Sequence, residues 1–215
     1  MPDSQPAVMP PAVTAPAVTP PAVTPIVLEG RTVRLESLAL THAEDLFRAG
    51  RDAVIWKYMP RPPMASVDDA RTFIGEALAA ARDGSAVPFA IVERASGRAV
   101  GSTRYFDIRR EHRGLEIGWT WIGVAHQRTA ANTECKRLLL GHAFEQLAML
   151  RVQLKTDARN VQSQRAIERI GATKEGVLRA HMIMPDGFVR DSVMYSIVAK
   201  EWPEVRKRLE ALEAR

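Results

Sequence analysis

Alternation of apolar and polar residues along the chain predicts a series of short strands. In the first segment Val33 and Leu35 alternate with polar residues. A three-strand meander follows, and Ser96-Gly97 between its first two strands is a hairpin signal. A later hairpin is centred on Pro185-Asp186-Gly187. The predicted strands are residues 31–38, 87–93, 99–108, 115–124, 151–156, 177–183 and 189–198.

The strand over residues 115–124 carries an unusual number of large apolar side chains. Side chains two residues apart lie on the same face of a strand, so we expect Leu115, Ile117, Trp119 and Trp121 to share one side. We interpret the tryptophan pair as part of a core in preference to a platform on which a substrate stacks.

Apolar residues that recur every three or four positions predict five helices. The clearest is residues 67–82, with Phe73 and Ile74 on its apolar face and Gly84 as a stop signal. Thr41 and Glu44 resemble a capping box that opens a short helix ending at Gly50. The other predicted helices are residues 132–149, residues 161–170 with Gly171 at the C′ position, and a charged surface helix from Pro203.

The order of these elements indicates the fold class. One strand and two helices precede the meander, and helix, strand, helix and hairpin follow it. Strands in hairpins are antiparallel, whereas a strand reached through a helix can pair in parallel. We therefore predict an α/β (α+β) protein with a mixed, mostly antiparallel sheet and helices on its faces.

The first 25 residues have a separate, low-complexity composition. A five-residue period of proline, alanine and valine runs through them, with proline at positions 2, 6, 10, 11, 16, 20, 21 and 25. Proline removes backbone donors and disfavours helix, so this segment is predicted to be a disordered extension, with a docking peptide as the alternative. We divide the chain into this tail (1–25), a folded domain (26–200) and a C-terminal charged helix (201–215) that packs on the domain or extends from it.

Composition narrows the class of protein. The 215 residues are 46% hydrophobic and 26% charged, as expected for one globular domain. Cys135 is the single cysteine, which excludes an intrachain disulfide and fits a reducing compartment. The sequence has no apolar run of membrane-spanning length and no basic stretch of a secretory signal at its start. We expect a cytoplasmic protein without a membrane partner.

The formal net charge of +5 suits an anionic ligand, although solubility alone explains it equally well. The turn over residues 126–131 leads from a strand into a helix, whose first N–H groups and dipole favour a pyrophosphate. Arg128 in the turn, with Lys136 and Arg137 inside the helix, would add charge-assisted contacts. The alternative is an ordinary turn with solvated bases, which the absence of glycine favours.

A second polar stretch follows the strand over residues 151–156. Asn160 lies at the start of a helix, where its ordinary function is an N-cap, and Ser163 lies one turn further. If this strand separates from residues 115–124, both side chains face the resulting crevice. Ligands bind in such crevices at the carboxyl ends of strands.

The ordered series of these segments resembles the GNAT superfamily of N-acetyltransferases, closest to the branch that contains the ribosomal-protein N-terminal acetyltransferases. The resemblance spans residues 30–198. The segments that carry it are Glu116-Ile117-Gly118-Trp119, Asn132-Thr133-Glu134, His142-Ala143-Phe144-Glu145, Asn160 with Ser163, Ile170-Gly171-Ala172 and Glu175-Gly176.

The resemblance implies a splayed central strand pair that binds acetyl-CoA. The strand over residues 115–124 would pair with the pantetheine arm, the turn from Gln127 to Asn132 would hold the pyrophosphate, and Asn160 would bond the pantetheine. The implied cofactor-binding residues are Trp121, Ile122, Gln127, Arg128, Thr129, Ala130, Asn132, Thr133, Asn160 and Ser163. The turn departs from the family pattern, which has glycine at the position of Ala130 and glycine or alanine at that of Asn132. Glycine lets a backbone approach phosphate closely; Ala130 keeps its position small, whereas Asn132 is bulkier.

The implied reaction is direct attack of a primary amine on the thioester. By the resemblance, Ser163 is the candidate acid for the leaving thiolate, and its alternative is a helix cap or a CoA contact. Glu116 is the candidate base, and its alternative is an edge charge paired with a nearby arginine. Asp107 and His181 are weaker candidates, because an isolated Asp or His on a strand is usually structural.

Other chemistries have little support in the sequence. Cys135 lies among apolar helical residues, no metal-ligand spacing is present, and no Gly-x-Ser-x-Gly motif occurs.

Two other functional classes stay open for this protein. One is an acyl-CoA-binding protein without catalysis, and the other is a nucleic-acid-binding module. The second rests on Arg104, Arg109, Arg110 and Arg113, but interspersed acidic residues disfavour it. The acceptor is a small-molecule amine or a peptide N-terminus, and homodimer formation is left open.

Overall fold

The computed structural model describes residues 22–214, and within them a single mixed sheet contains eight strands. The strands are β1 (Leu28–Glu29), β2 (Val33–Ser37), β3 (Ala86–Glu93), β4 (Ala99–Arg109), β5 (Gly114–Ile122), β6 (Arg151–Asp157), β7 (Thr173–Ile183) and β8 (Val189–Val198). Their spatial order is β1-β2-β3-β4-β5-β6-β8-β7. The predicted α/β class with a mostly antiparallel mixed sheet is confirmed.

The central pair, β5 and β6, is the one parallel pairing of this sheet. Its register covers only the first residues of each strand and ends where Glu116 meets Gln153. Beyond that point β5 runs on to Ile122 and β6 to Asp157 without pairing to each other. The two strands therefore diverge and leave an opening in the middle of the sheet. A splayed central strand pair was the arrangement that the resemblance implied.

Five α-helices cover the two faces of the sheet in the described part of the chain. They are α1 (Ala43–Gly50), α2 (Val67–Arg82), α3 (Ala130–Gly141), α4 (Val161–Arg169) and α5 (Trp202–Glu213). One buried cluster, centred on Phe73, packs α1 and α2 against β3 and β4. The larger cluster packs α3, α4 and α5 on the opposite face and contains Leu115 and Leu139. The two clusters lie on opposite faces of the sheet, so α3 and α4 are on the face away from α2.

Local signals predicted several elements well. α2 has the predicted bounds, with Ser66 as N-cap and Gly84 in the left-handed region at φ +77°. The Ser96-Gly97 and Pro185-Asp186-Gly187 hairpins both form. The Thr41 capping box does not form, because Thr41 lies inside a 3-10 turn over Leu40–His42 that precedes α1. The backbone N–H of Ala39, at the start of that turn, donates to His42 Nδ1 at 3.1 Å.

The predicted helix over residues 132–149 is wrong at both ends. α3 begins at Ala130, with Thr129 rather than Asn132 as its N-cap, since the Thr129 hydroxyl accepts from Ala131 N at 3.2 Å. The α-helix ends at Gly141, and a single π-helical turn continues over His142–Gln146. Hydrogen-bond spacing changes there, although the apolar stripe continues without interruption.

The predicted face of β5 is also wrong. Leu115 and Ile117 belong to the cluster under α3, whereas Trp121 belongs to the cluster under α2 and Trp119 packs against that second cluster. The register with β4 gains one extra β5 residue between Gly118 and Trp121, and Trp119 has φ +51°. Such a bulge reverses the alternation, so the tryptophans turn to the α2 face.

The ends of the described chain pack on the domain. Val23 is buried within the larger cluster, and residues 1–21 of the predicted tail lie outside the described residues. In α5, Trp202, Val205 and Leu209 are buried, so this helix packs on the domain. No helix of the described residues is long and apolar enough to cross a membrane.

Candidate active site

The divergence of β5 and β6 frames the candidate site. In the described structure residues 117–122 of β5 have no partner on β6, while β6 stays paired with β8 up to Asp157. Backbone amides along this part of β5 are therefore free to bind a ligand that carries amides of its own. α3 and α4 begin shortly after these strands, so both helix N-termini lie at the carboxyl ends of the diverging pair.

The turn from β5 into α3 is held by its own polar side chains. Gln127 Nε2 donates to the carbonyl oxygen of Ile122 at 3.1 Å, and the Thr129 hydroxyl donates to the carbonyl oxygen of His126 at 2.8 Å. These bonds position the first turn of α3, whose backbone N–H groups lack helical acceptors. Anions bind such groups because the N–H dipoles point toward them.

The turn does not need glycine for its backbone conformation. Ala130 and Asn132 lie in the first turn of α3, and neither has a positive φ. Arg128 is the residue of this turn in the left-handed region, at φ +61°, and its side chain is exposed. The departure from the family pattern therefore changes the space beside a bound phosphate without straining the chain.

Lys136 and Arg137 do not contribute to this turn, contrary to the prediction. Lys136 is 7% exposed, and its Nζ donates to Thr120 Oγ1 on β5 at 2.8 Å. Burial lowers the pKa of Lys136 below the ordinary lysine value. Arg137 Nε donates to Glu213 of α5 at 2.7 Å. Of the three basic residues predicted for this turn, Arg128 is the one with an exposed side chain.

Two of the implied cofactor residues are occupied with other contacts. Thr133 is buried, and its hydroxyl accepts from Arg169 Nη2 at 3.0 Å, which ties α3 to α4. The Trp121 side chain lies in an aromatic cluster, with its ring centroid 5.1 Å from that of Trp56 and 6.1 Å from that of Phe73. The Trp121 side chain is therefore core, as predicted for the tryptophans, and only its main chain faces the opening.

Asn160 and Ser163 lie together at the start of α4. Asn160 Oδ1 accepts from the Ser163 backbone N–H at 2.9 Å, so the predicted N-cap is confirmed. The cap uses the carboxamide oxygen and leaves the Nδ2 donors for a ligand. Ser163 is half-buried, and its hydroxyl makes no hydrogen bond to any residue from 22 to 214.

Glu116 is a buried carboxylate at the last paired position of β5. Its Oε2 accepts from Gln153 Nε2 at 2.9 Å and from Lys155 Nζ at 3.1 Å, so its partner is a lysine of β6 rather than an arginine. Oε1 is buried and has no partner in the described residues. Burial raises the pKa of Glu116 above the ordinary glutamate value, and this outweighs the opposing effect of Lys155.

Gly118 leaves room beside that carboxylate. A Cβ at this position would lie 3.3 Å from Glu116 Oε1 and 2.7 Å from the Phe106 ring, so any side chain would fill the space. Glu116 pairs with Phe106 and Gly118 pairs with Arg104 on β4. The orphaned oxygen and the space next to it fit a small donor group, such as an amine, that approaches from this face.

Lys155 and Arg61 on this face had no predicted function, and Arg104 had one only in the nucleic-acid alternative. Lys155 lies over the Phe106 ring, with Nζ 5.1 Å from its centroid. Arg104 lies over Trp119 at 4.6 Å, and Arg61 lies over Phe73 at 4.8 Å. The sequence shows arginine and aromatic residues interspersed in this region. The contact between Arg104 and Trp119, however, depends on the β5 bulge, which the sequence pattern did not reveal.

The weaker catalytic candidates have structural contacts. Asp107 is exposed in the left-handed region at φ +48°, and its carboxylate lies 3.5 Å from Arg109 Nε. His181 Nδ1 lies 2.9 Å from Ser192 Oγ. Burial, together with the nearby Lys155, lowers the pKa of His181. A lowered pKa keeps this imidazole neutral at physiological pH.

The structure gives no support to the other chemistries. Cys135 is buried, and burial raises the pKa of its thiol to about 11, so it is not a nucleophile. No group of His, Cys, Asp and Glu able to hold a metal occurs among the described residues. The arginines suggested for nucleic acid do not share a surface, because Arg104 is buried and Arg113 Nε donates to the carbonyl oxygen of Ala148.

Comparison with known proteins agrees with this geometry. Residues 32–173 match the sequence profile of the acetyltransferase (GNAT) domain. The chain belongs to the GNAT acetyltransferase family. The predicted family is thereby confirmed, and the chain is an N-acetyltransferase that uses acetyl-CoA and an amine acceptor.

Individual relatives of this GNAT protein cover most of its length. It is 26% identical over 168 residues to the uncharacterized N-acetyltransferase p20 of Bacillus licheniformis, covering 78% of this chain and 93% of that protein. A solved acetyltransferase-family structure from T. thermophilus is 40% identical, with a TM-score of 0.80 over 88% of this chain and 98% of that one. RimJ of Mycobacterium smegmatis, in complex with CoA-disulfide, shares the fold at 22% identity, with a TM-score of 0.76 over 87% and 95% of the two chains.

Proposed function

We propose that acetyl-CoA binds in the opening between β5 and β6, and that the amine enters from the sheet face that carries Glu116. The observation that carries this proposal is the end of β5–β6 pairing beside a buried carboxylate with one unpartnered oxygen. The unpaired strand edge suits an amide-bearing arm, and the orphaned oxygen suits a donor such as an amine.

The residues around the opening would hold acetyl-CoA in three places. The N-terminus of α3 and Arg128 would bind the phosphates, with the turn held by Gln127 and Thr129 and with Ala130 and Asn132 next to them. The main chain of β5 at Trp121 and Ile122 would pair with the pantetheine amides. Asn160 Nδ2 would donate to a pantetheine carbonyl, because its Oδ1 is already used by the cap.

Glu116 is the proposed base. Acetyl-CoA supplies the acetyl group as a thioester, and an uncharged primary amine attacks it, so that a C–N bond forms and the C–S bond breaks. The incoming ammonium must lose a proton before it attacks, and the amine loses a second one afterwards. The raised pKa of Glu116 brings this carboxylate closer to the pH at which such a transfer is efficient. Lys155 holds the carboxylate through Oε2 and leaves Oε1 for the amine.

Ser163 is the proposed acid for the departing thiolate. Its hydroxyl has no protein partner among the described residues, and it lies one helical turn beyond Asn160, on the same face. A group further along the pantetheine arm than Asn160 is nearer the sulfur. The hydroxyl would give its proton to the thiolate, and the second proton lost by the amine, relayed through water, would restore it.

Two measurements test this proposal. Mass spectrometry of the purified protein under non-denaturing conditions should show bound CoA or acetyl-CoA. A screen of primary amines, from free amino acids to peptide N-termini, should then show amine-dependent release of CoA thiol from acetyl-CoA. A tight CoA complex with no thiol release for any amine would instead support an acyl-CoA-binding protein without catalysis.

A further inference from the structure

Two arginines of the face that carries Glu116 lack an adequate counter-charge. Arg104 on β4 is 8% exposed and makes no hydrogen bond or ion pair to a carboxylate within residues 22–214. Its contacts are with rings, since its guanidinium carbon lies 4.6 Å from the Trp119 centroid and 5.7 Å from that of Phe73. Its Nε is buried without a partner, whereas its terminal Nη atoms are not closed off in this way. The end of the side chain therefore keeps some exposure to solvent.

Arg61 brings a second guanidinium to the same rings. Its guanidinium carbon lies 4.8 Å from the Phe73 centroid and 5.7 Å from that of Trp56, and its Nε is also buried without a partner. The carboxylate nearest to it is that of Glu76, 3.4 Å from Nη1, and the Glu76 side chain is 64% exposed. A solvated carboxylate compensates a cation weakly.

Two like charges around one ring are unfavourable for each other. Burial lowers the pKa of Arg104 to about 10; the Glu76 carboxylate partly opposes this shift, and the charge of Arg61 adds to it. The same arrangement favours an anion, because guanidinium groups bind carboxylates through paired, charge-assisted hydrogen bonds. A bound carboxylate would satisfy the buried donors and relieve the repulsion together.

The position of Arg104 relates this charge to the acceptor. Arg104 and Phe106 are two residues apart on β4 and lie on one face, and Phe106 pairs with Glu116. Diagonal neighbours of this kind on adjacent strands have side-chain origins about 7–8 Å apart. A molecule whose amine contacts Glu116 can thus place a second group a few bonds away against Arg104.

We propose that the acceptor amine also carries a carboxylate, and that Arg104 and Arg61 bind that carboxylate while the amine faces Glu116. This inference rests on the proposed function of the Glu116 face as the amine site. It limits the acceptors to amino acids and short peptides with a carboxylate near the amine, and it disfavours simple alkylamines and polyamines.

The test compares matched pairs of acceptors: glycine, 4-aminobutyrate and 6-aminohexanoate, each against its primary carboxamide. For the best spacing, kcat/KM should favour the acid by about 10- to 100-fold, the worth of one or two charge-assisted contacts, with most of the difference in KM. Arg104→Gln and Arg61→Gln should reduce this acid-to-amide ratio toward one. Arg71→Gln is the matched control, because Arg71 is an exposed arginine of α2 paired with Asp68, and it should keep the ratio.

Calorimetric titration of the CoA complex with the same acid and amide separates this inference from the proposed function. Preferential binding of the acid that Arg104→Gln abolishes supports the carboxylate site even if no acetyl group is transferred, and the absence of transfer would then count against the proposed function alone. Equal binding and equal turnover of acid and amide by the wild type would overturn the inference. So would an acid preference that survives both Arg104→Gln and Arg61→Gln.

Discussion

Lys155 Nζ lies 3.1 Å from Glu116 Oε2, and this ion pair joins β5 to β6 where their pairing ends. Glu116 belongs to the last backbone pair, with Gln153, and Lys155 lies two residues beyond Gln153 on β6. The pair uses one carboxylate oxygen and leaves the other buried without a partner. Buried polar atoms are normally hydrogen-bonded, so the unpartnered oxygen supports the proposal that Glu116 is the base.

The first prediction concerns this carboxylate. We expect Glu116→Gln to lower kcat by about 10²–10⁴, because the amide keeps the shape and accepts from Lys155 but cannot take a proton. The pKa of Glu116 is raised, so the wild-type rate should fall as pH drops through that raised value, and the variant should lose this acidic limb. The measurement is kcat against pH with a saturating acceptor.

Stability and a control variant separate catalysis from folding. A carboxyl whose pKa is higher in the folded than in the unfolded protein favours folding at low pH and costs stability above that pKa. Glu116→Gln should therefore melt at or above the wild-type temperature at pH 8. Glu111→Gln, an exposed glutamate in the turn before β5, should change neither property. An active Glu116→Gln with an unchanged pH profile would show that Glu116 is not the base.

The second prediction separates two functions of Asn160. Asn160→Ala should weaken acetyl-CoA binding and also cost about 1 kcal/mol of stability, because the cap to Ser163 N–H is lost. Asn160→Asp keeps the capping oxygen but removes the Nδ2 donors, so it should weaken acetyl-CoA binding while the melting temperature stays near wild type. Calorimetric titration with acetyl-CoA and thermal melts measure both. If Asn160→Asp bound acetyl-CoA normally, Asn160 would be a cap alone.

The third prediction concerns Ser163. Ser163→Ala should lower kcat with little change in acetyl-CoA affinity, since a proton donor to the thiolate matters only once the C–S bond breaks. Ser163→Thr keeps a hydroxyl and should retain more of the rate than Ser163→Ala. Steady-state kinetics of the two variants decides the matter. A full wild-type kcat in Ser163→Ala would assign the proton to another donor.

The fold could be predicted further than the site. α2 and the two hairpins are specified by neighbouring residues, such as Ser66, Gly84 and Gly97, so their signals are visible in sequence. The bulge at Trp119 and the π-turn after Gly141 arise from tertiary packing and leave no local signal. The bulge decides that the tryptophans lie on the same face as Arg104, and thus what surrounds the proposed amine site.

Residue type alone also led to wrong or missing predictions for several charged side chains. Lys136 looked like a phosphate contact because it follows the turn, but on α3 its side chain points back to Thr120 on β5. Lys155 received no function from the sequence, and Arg104 only that of a nucleic-acid contact, because their partners Glu116 and Trp119 are distant along the chain. The N-cap at Asn160 was predicted correctly, since a helix cap is a local feature.

The fourth prediction concerns Arg128. Arg128→Ala should weaken acetyl-CoA by about 10- to 100-fold and leave a phosphate-free pantetheine fragment unaffected, because only phosphate contacts are lost. Arg128 lies in the left-handed region, so Arg128→Gly removes the charge and relieves the backbone at once. Both variants should lose affinity equally if charge is the cause. Arg82→Ala, an exposed arginine at the end of α2, is the control, and equal losses for CoA and the fragment would contradict the assignment.

The last prediction uses the buried Lys136. Burial lowers its pKa below about 10.5, the ordinary value. A lysine whose pKa is lower in the folded protein costs stability while it is charged, and the cost disappears as pH rises from the folded pKa to the unfolded one. Lys136→Met keeps the apolar stem and removes the ammonium, so at pH 7 it should raise the free energy of unfolding by about 1–3 kcal/mol. Thr120 keeps a partner in this variant, because Thr103 Oγ1 lies 2.8 Å from its hydroxyl.

Thermal melts between pH 7 and pH 10.5 should show the difference in melting temperature between Lys136→Met and the wild type narrowing as pH rises. The control is Lys207→Met, at an exposed lysine paired with Glu204, which should show no such trend. A Lys136→Met protein that melts below wild type at pH 7 would mean that the bond to Thr120 outweighs the burial of the charge.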